Sequence, residues 1–103
     1  MITNIECYVA EQQLFSSKAF GPGMRTKGLV EHIKKELDEI EADPTDLNEW
    51  IDVIILSLDG YWRHGGTPAG LLQLMAEKLE RNKQRRWPDW RTMTEGEPIE
   101  HVR

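Results

Sequence analysis

Four carboxylates at two short intervals are the residues of this sequence best suited to chemistry: Glu36 and Glu39 in KKELDEIEAD, and Glu49 and Asp52 in LNEWIDVIILSLDGYW. Carboxylate oxygens with no cysteine beside them are hard ligands and suit Mg2+ or Mn2+. Held together without a cation, four such groups would repel one another strongly in a low-dielectric site, so a cluster requires protons, basic partners or divalent metal. Each signal also has an ordinary explanation. ExxE on a highly charged helix is what a solvated face produces. Glu49 stands three residues after Asp46 and suits the acidic first turn of a capped helix. Asp59 stands one turn before Arg63 and suits an ion pair. The combination favours metal: ExxE, a short corner, then ExxD in a segment otherwise too apolar to carry acids.

A second set of residues could hold an anion. Lys78, Asn82 and Arg86 recur at i, i+4 and i+8, with Arg85 near the same side. A polyphosphate beside a metal cluster needs such donors, because metal alone leaves part of its charge unneutralised. The loop GPGMRTKG, residues 21–28, adds Arg25 and Lys27 at a helix start, where backbone N–H groups favour anions. Its glycines form neither a Walker nor a dinucleotide motif. The stripe also suits a solvated basic face, or nucleic-acid binding through the run from Lys78 to Trp90 with its two tryptophans. The net charge of −5 argues against nucleic acid. His32 falls between Glu36 and Glu39 on a helical wheel and is expected to border the site rather than enter it.

The elements that must position these residues are helices. Strict apolar alternation is nearly absent, and segments of helical length are punctuated by turn residues, so the chain reads as all-α. The first helix is expected to be short, with Thr3 and Glu6 at capping-box spacing and an end before FGPG at 20–23. The second runs from Thr26 or Lys27 to Ala42, carries Leu29, Val30, Ile33, Leu37 and Ile40, and is ended with the help of Pro44. The third is entered at Thr45 or Asp46 and breaks at HGG, residues 64–66. VIILSL alone suits a strand, but the apolar stretch from Leu47 to Trp62 is too long for one. Thr67 is expected to cap the fourth helix, with Pro68 at its first position and an end before Pro88. The tail WPDWRTMTEGEPIEHVR is expected to dock through its tryptophans.

The short connection EADPTD makes the second and third helices an antiparallel hairpin. Glu36 and Glu39 then lie about two turns before the corner, and Glu49 and Asp52 within about two turns after it, so the pairs can face each other. The third helix is apolar nearly all round, apart from a sector holding Asp59, Asp52 and Glu49, which predicts a buried helix. At 103 residues, 39% hydrophobic and 30% charged, the chain reads as a single domain, 1–103, whose small core calls for a second subunit. Cys7 has no partner for an intrachain disulfide. No basic stretch leads into a long apolar run and no 18 apolar residues are consecutive, so a cytoplasmic location is expected and no membrane partner.

Together, E36xxE39, E49xxD52 and K78xxxN82xxxR86 resemble the all-α nucleoside triphosphate pyrophosphohydrolases of the MazG-like superfamily. The run GPGMRTKGLVEHIKKELDEIEADPTDLNEWIDVIILSLDGYWRHG, with RRWPDWRTM and PIEHVR, is similar to the dATP/dGTP diphosphohydrolase branch found in phages and prophages, over residues 21–103. The resemblance implies a bundle of four to five helices completed by oligomerisation, as a homodimer or homotetramer, in the cytoplasm of a bacterial host. It implies hydrolysis of a purine deoxynucleoside triphosphate, dGTP or dATP, at the α–β phosphoanhydride to monophosphate and pyrophosphate. Two or three Mg2+ or Mn2+ ions would be held by Glu36, Glu39, Glu49 and Asp52. Glu36 or Glu39 would orient or deprotonate the water that attacks the α-phosphorus. Lys78, Asn82 and Arg86 would hold phosphate oxygens, with Arg25 and Lys27 as additions. A pyrophosphohydrolase for a pyrimidine or damaged nucleotide is the alternative within the class. Outside it stands a non-catalytic helical dimer that binds nucleic acid through Lys78 to Trp90.

Overall fold

The computed structural model describes residues 1–103 and is built of helix alone: α1 Ile5–Phe20, α2 Thr26–Ala42, α3 Leu47–Arg63, α4 Leu71–Gln84, and a single 3-10 turn at Trp90–Thr92. Two compact units divide the chain, Met1–Leu72 and Gln73–Arg103.

In the first unit α2 packs along α3, and α1 packs on α3 as well. The α2 and α3 boundaries agree with the expected ones, for the expected reasons. Asp43 leaves the helical region ahead of Pro44. Asp46 caps α3, its Oδ1 accepting from the Asn48 N–H at 3.0 Å. The Trp50 indole donates to the Pro44 carbonyl at 3.0 Å and ties the corner to the start of α3.

Two boundaries differ. The cap of α1 is Asn4, not Thr3, because Asn4 Oδ1 takes the Cys7 N–H at 2.8 Å. The helix is also 16 residues long rather than short. Its apolar periodicity is weak because it meets α3 partly through polar side chains: Gln12 Nε2 donates to the Ile55 carbonyl at 2.8 Å, and Ser16 Oγ to Asp59 Oδ1 at 2.5 Å. The fourth helix begins at Leu71 rather than at Pro68, since Thr67 to Gly70 form a separate turn in which Thr67 Oγ1 accepts from the Gly70 N–H at 3.0 Å. The Tyr61 hydroxyl holds this turn by donating to the Thr67 carbonyl at 2.8 Å.

The core is small: Val9, Leu58 and Leu71 cluster with Tyr8 and Tyr61 against them, and Leu29 and Ile40 are buried on α2. The expectation that α3 is buried on most sides is not met within one chain. Leu47, Trp50, Ile51 and Ile54 share one face at i, i+3, i+4 and i+7 and stay 46–75% exposed, because α1 and α2 cover only the opposite faces.

In the second unit the tail does dock on the end of its own helix. The Val102 N–H donates to the Arg86 carbonyl at 2.8 Å, and the His101 and Trp87 rings meet edge to face at 6.1 Å. Trp90 does not share in this; it is 69% exposed, with the Arg91 guanidinium over its ring.

Candidate metal centre

The α2–α3 hairpin brings both carboxylate pairs to one place. Ligand oxygens of Glu36, Glu49 and Asp52 all lie within 4.8 Å of one another. Glu39 lies outside this set, but close enough to Glu36 and Glu49 for its charge to act on both. Glu36 Oε2 and Glu49 Oε2 are withdrawn from solvent with no hydrogen-bond partner. A buried carboxylate oxygen left without a donor is costly, and four acids offer none to each other while ionised. A hard divalent cation satisfies such oxygens directly, so the residues present fit Mg2+ or Mn2+.

The electrostatics agree. Burial pushes the Glu36 carboxyl above its ordinary range, Glu39 and Asp52 push it further, and His32 opposes them. His32 Nε2 lies 3.2 Å from Glu36 Oε1 and is itself half exposed, a bordering residue as expected. Glu49 is raised for the same leading reason, burial, followed by Glu39, Asp46 and Asp52. Folding therefore favours the protonated form of both groups. Their contribution to stability is present below the ordinary glutamate range and is lost as pH rises through the raised folded values. Without metal, the chain should melt higher at mildly acidic than at neutral pH. Mn2+ at a hundredfold excess over its dissociation constant should raise the neutral-pH melting temperature by on the order of 10 °C. That gain should shrink as pH falls and protons occupy the same oxygens. Thermal melts from pH 5 to 8 with and without Mn2+ check this, and identical curves would count against a metal site.

Asp59, the third acid of the α3 sector, is separate from the cluster. It is 5% exposed and pairs with Arg63, Nε to Oδ2 at 3.1 Å, as their spacing predicts. Asp59 Oδ1 also accepts from Ser16 Oγ and from the Trp62 indole at 2.8 Å. The rest of the Arg63 fork was not legible: Nη1 donates to the carbonyls of Gly21 and Gly23, both at 2.9 Å, and Nη2 to Ser16 Oγ at 2.9 Å and the Ser16 carbonyl at 3.3 Å. A serine on a helix face opposite an acid is too common a pattern to have signalled it.

Of the predicted anion-binding residues, Arg25 and Lys27 sit at the start of α2. Arg25 is the one non-glycine residue with a left-handed backbone, φ 49°. Its guanidinium lies over the Phe20 ring at 5.7 Å and lines a cavity of about 100 Å3 whose wall also includes His32 and Leu56. Lys78 and Arg86 are exposed on or just after α4, in the second unit. Asn82 Oδ1 accepts from Arg85 Nη1 at 2.9 Å, so its amide oxygen is engaged by a neighbour that sequence reasoning placed on the same side.

No solved structure gives a significant match to the chain. The Eaa protein of Salmonella phage P22 is 40% identical over 62 residues, which are 60% of this chain and 19% of that protein. The chain thus spans about a fifth of that relative's length. The model of the dATP/dGTP pyrophosphohydrolase family matches residues 9–103, taking in both carboxylate pairs and the donor stripe, and the chain belongs to that family.

Proposed function

We propose that the chain is a metal-dependent pyrophosphohydrolase converting dGTP or dATP to the monophosphate and pyrophosphate. The observation that carries this reading is the pair of buried, unpartnered oxygens on Glu36 and Glu49, which cluster with Asp52, in a chain of this family. Two or three Mg2+ or Mn2+ ions held by Glu36, Glu39, Glu49 and Asp52 would supply an activated water and neutralise charge developing on the phosphoryl oxygens. Glu39 lies near Glu36 and Glu49 and is exposed, so it or Glu36 takes the proton of the water attacking the α-phosphorus. Lys78, Asn82 and Arg86 hold phosphate oxygens through charge-assisted bonds, and Arg25 at the cap of α2 and Lys27 in its first turn add donors.

A second copy of the chain is the natural cover for the exposed α3 face of Leu47, Trp50, Ile51 and Ile54, giving a homodimer or homotetramer. No helix is long and apolar enough to cross a membrane. We place the enzyme in the cytoplasm of a bacterial host, where its substrates are made.

The decisive assay incubates the protein with a panel of purine, pyrimidine and oxidised deoxynucleoside triphosphates and Mg2+ or Mn2+. The expected products are dGMP or dAMP with pyrophosphate, in preference to all others. Preference for a pyrimidine or damaged nucleotide would move the assignment within the class, and release of orthophosphate alone would refute it. Absence of turnover combined with salt-sensitive, metal-independent binding of DNA or RNA would favour the nucleic-acid reading through Lys78 to Trp90.

A further inference from the structure

The guanidinium of Arg63 spends all five of its N–H groups, and only one of them on its ion-pair partner Asp59. Two end on Ser16, and the remaining two reach across to the carbonyls of Gly21 and Gly23 in the connector between α1 and α2. An ion pair that served the core alone would not need these last two bonds, because carbonyls of a surface connector can be solvated. The residue that caps α3, His64, does the same from the other side. His64 Nδ1 donates to the Gly60 carbonyl at 2.6 Å, which leaves Nε2 to accept from the Thr26 hydroxyl, also at 2.6 Å. Two adjacent residues at the end of α3 therefore grip the chain at Gly23 and at Thr26, on either side of Arg25.

Arg25 is the residue that this grip strains. A left-handed conformation is rare outside glycine and persists where the surroundings over-determine it. Gly21 and Gly23, at φ 82° and 95°, would otherwise leave the connector free to move. The held Arg25 lies over Phe20 and shares a cavity wall with His32, whose Nε2 stands 3.2 Å from Glu36 Oε1 of the carboxylate cluster. Along α2, His32 lies about one turn and Gly28, which Arg25 Nη2 borders, about two turns or 12 Å before Glu36, so a nucleotide held at the cluster meets Arg25 by running along this side of α2.

We propose that Arg63 and His64 are positioning residues: they lock the 21–26 connector so that Arg25 presents its guanidinium, preorganised, to a phosphate of the bound nucleotide. The proposal rests on the reading of Arg25 as a nucleotide-binding side chain. Preorganising a donor that would otherwise sit on a mobile glycine-containing loop removes an ordering cost from binding.

The test is a double-mutant cycle in steady-state kinetics with dGTP and Mn2+. Arg63→Lys keeps a charge beside Asp59, but one ammonium cannot span Asp59, Ser16 and two carbonyls. Gly23→Ala disturbs the connector from its own side, because φ 95° is unfavourable for alanine while open space surrounds the added methyl. It leaves the buried side chains untouched and keeps the test alive if Arg63→Lys fails to fold. Arg25→Ala should lower kcat/KM about tenfold or more, most of the loss falling on KM. Arg63→Lys and Gly23→Ala should do the same, and adding Arg25→Ala to either should cause no further loss. Losses that multiply in the double variants, or that fall on kcat with KM unchanged, would overturn the proposal. The wild-type rate, measured first, separates the two levels: no turnover of any triphosphate would refute the enzymatic reading and this inference with it.

Discussion

Asp52→Asn and Glu36→Gln are each expected to lower turnover of dGTP by on the order of a thousandfold or more, while making the metal-free chain melt higher at neutral pH. The two effects have one cause. Removing a ligand charge from the cluster weakens the hold on the cation that stabilises charge in the transition state, and losses of that kind run to several kcal/mol of barrier. In the same step it removes one of the like charges that burial and mutual proximity make unfavourable, as the raised affinities of Glu36 and Glu49 for a proton show. Stability gained where activity is lost is the signature of a strained functional site. A solvated acidic face predicts something else: little change in either quantity. Glu39→Gln should behave in the same way, and a double variant should be scarcely worse than a single one, because the ligands act as a unit. Steady-state rates and melts with and without Mn2+ on the same preparations decide the matter. Unchanged turnover in Asp52→Asn would remove the metal site from the mechanism.

The carboxylate cluster was readable in the sequence because it depends on local quantities only. Two three-residue spacings fix which side of each helix the acids occupy, and a corner held by Asp43, Pro44 and the Asp46 cap leaves the helices one way to pack. What could not be read was the state of individual atoms, above all that one oxygen of Glu36 and one of Glu49 end without partners. The helix boundaries that differed share a physical cause. Both α1 and the start of α4 are shaped by polar side-chain bonds, Gln12 and Ser16 to the distant α3 and Tyr61 to the nearby Thr67 turn, and periodicity does not encode these. The Arg63 fork marks the same limit. Its bond to Asp59, four residues away, follows from helical spacing, whereas its bonds to Ser16, Gly21 and Gly23 cross 40 residues or more. The apolar circumference of α3 was legible as well, but it records a demand for burial that one chain meets only in part.

Asp59→Ala should be the most destabilising single change in the chain, at about 3–5 kcal/mol, because it strands a charge that has no route to water. The Arg63 side chain has no exposed surface, and Asp59 is the one anion that faces it. Loss of the carboxylate also leaves Ser16 Oγ and the Trp62 indole without their acceptor, so three donors are orphaned at once. For a chain of this size the expected fall in melting temperature is well over 10 °C. Asp59→Leu combined with Arg63→Met should recover much of the loss, since burying two apolar side chains avoids the desolvation that the ion pair must overcome. Urea unfolding of the two singles and the double yields the coupling between the residues, and an Asp59→Ala variant within about 1 kcal/mol of wild type would contradict the network. Asp59→Asn then separates this role from that of its neighbours in the acidic sector of α3. An amide can still accept from Ser16 or Trp62 but cannot balance Arg63, so the variant should be destabilised while its Mn2+-induced rise in melting temperature persists. Were Asp59 a ligand in company with Glu49 and Asp52, that rise would disappear with the charge.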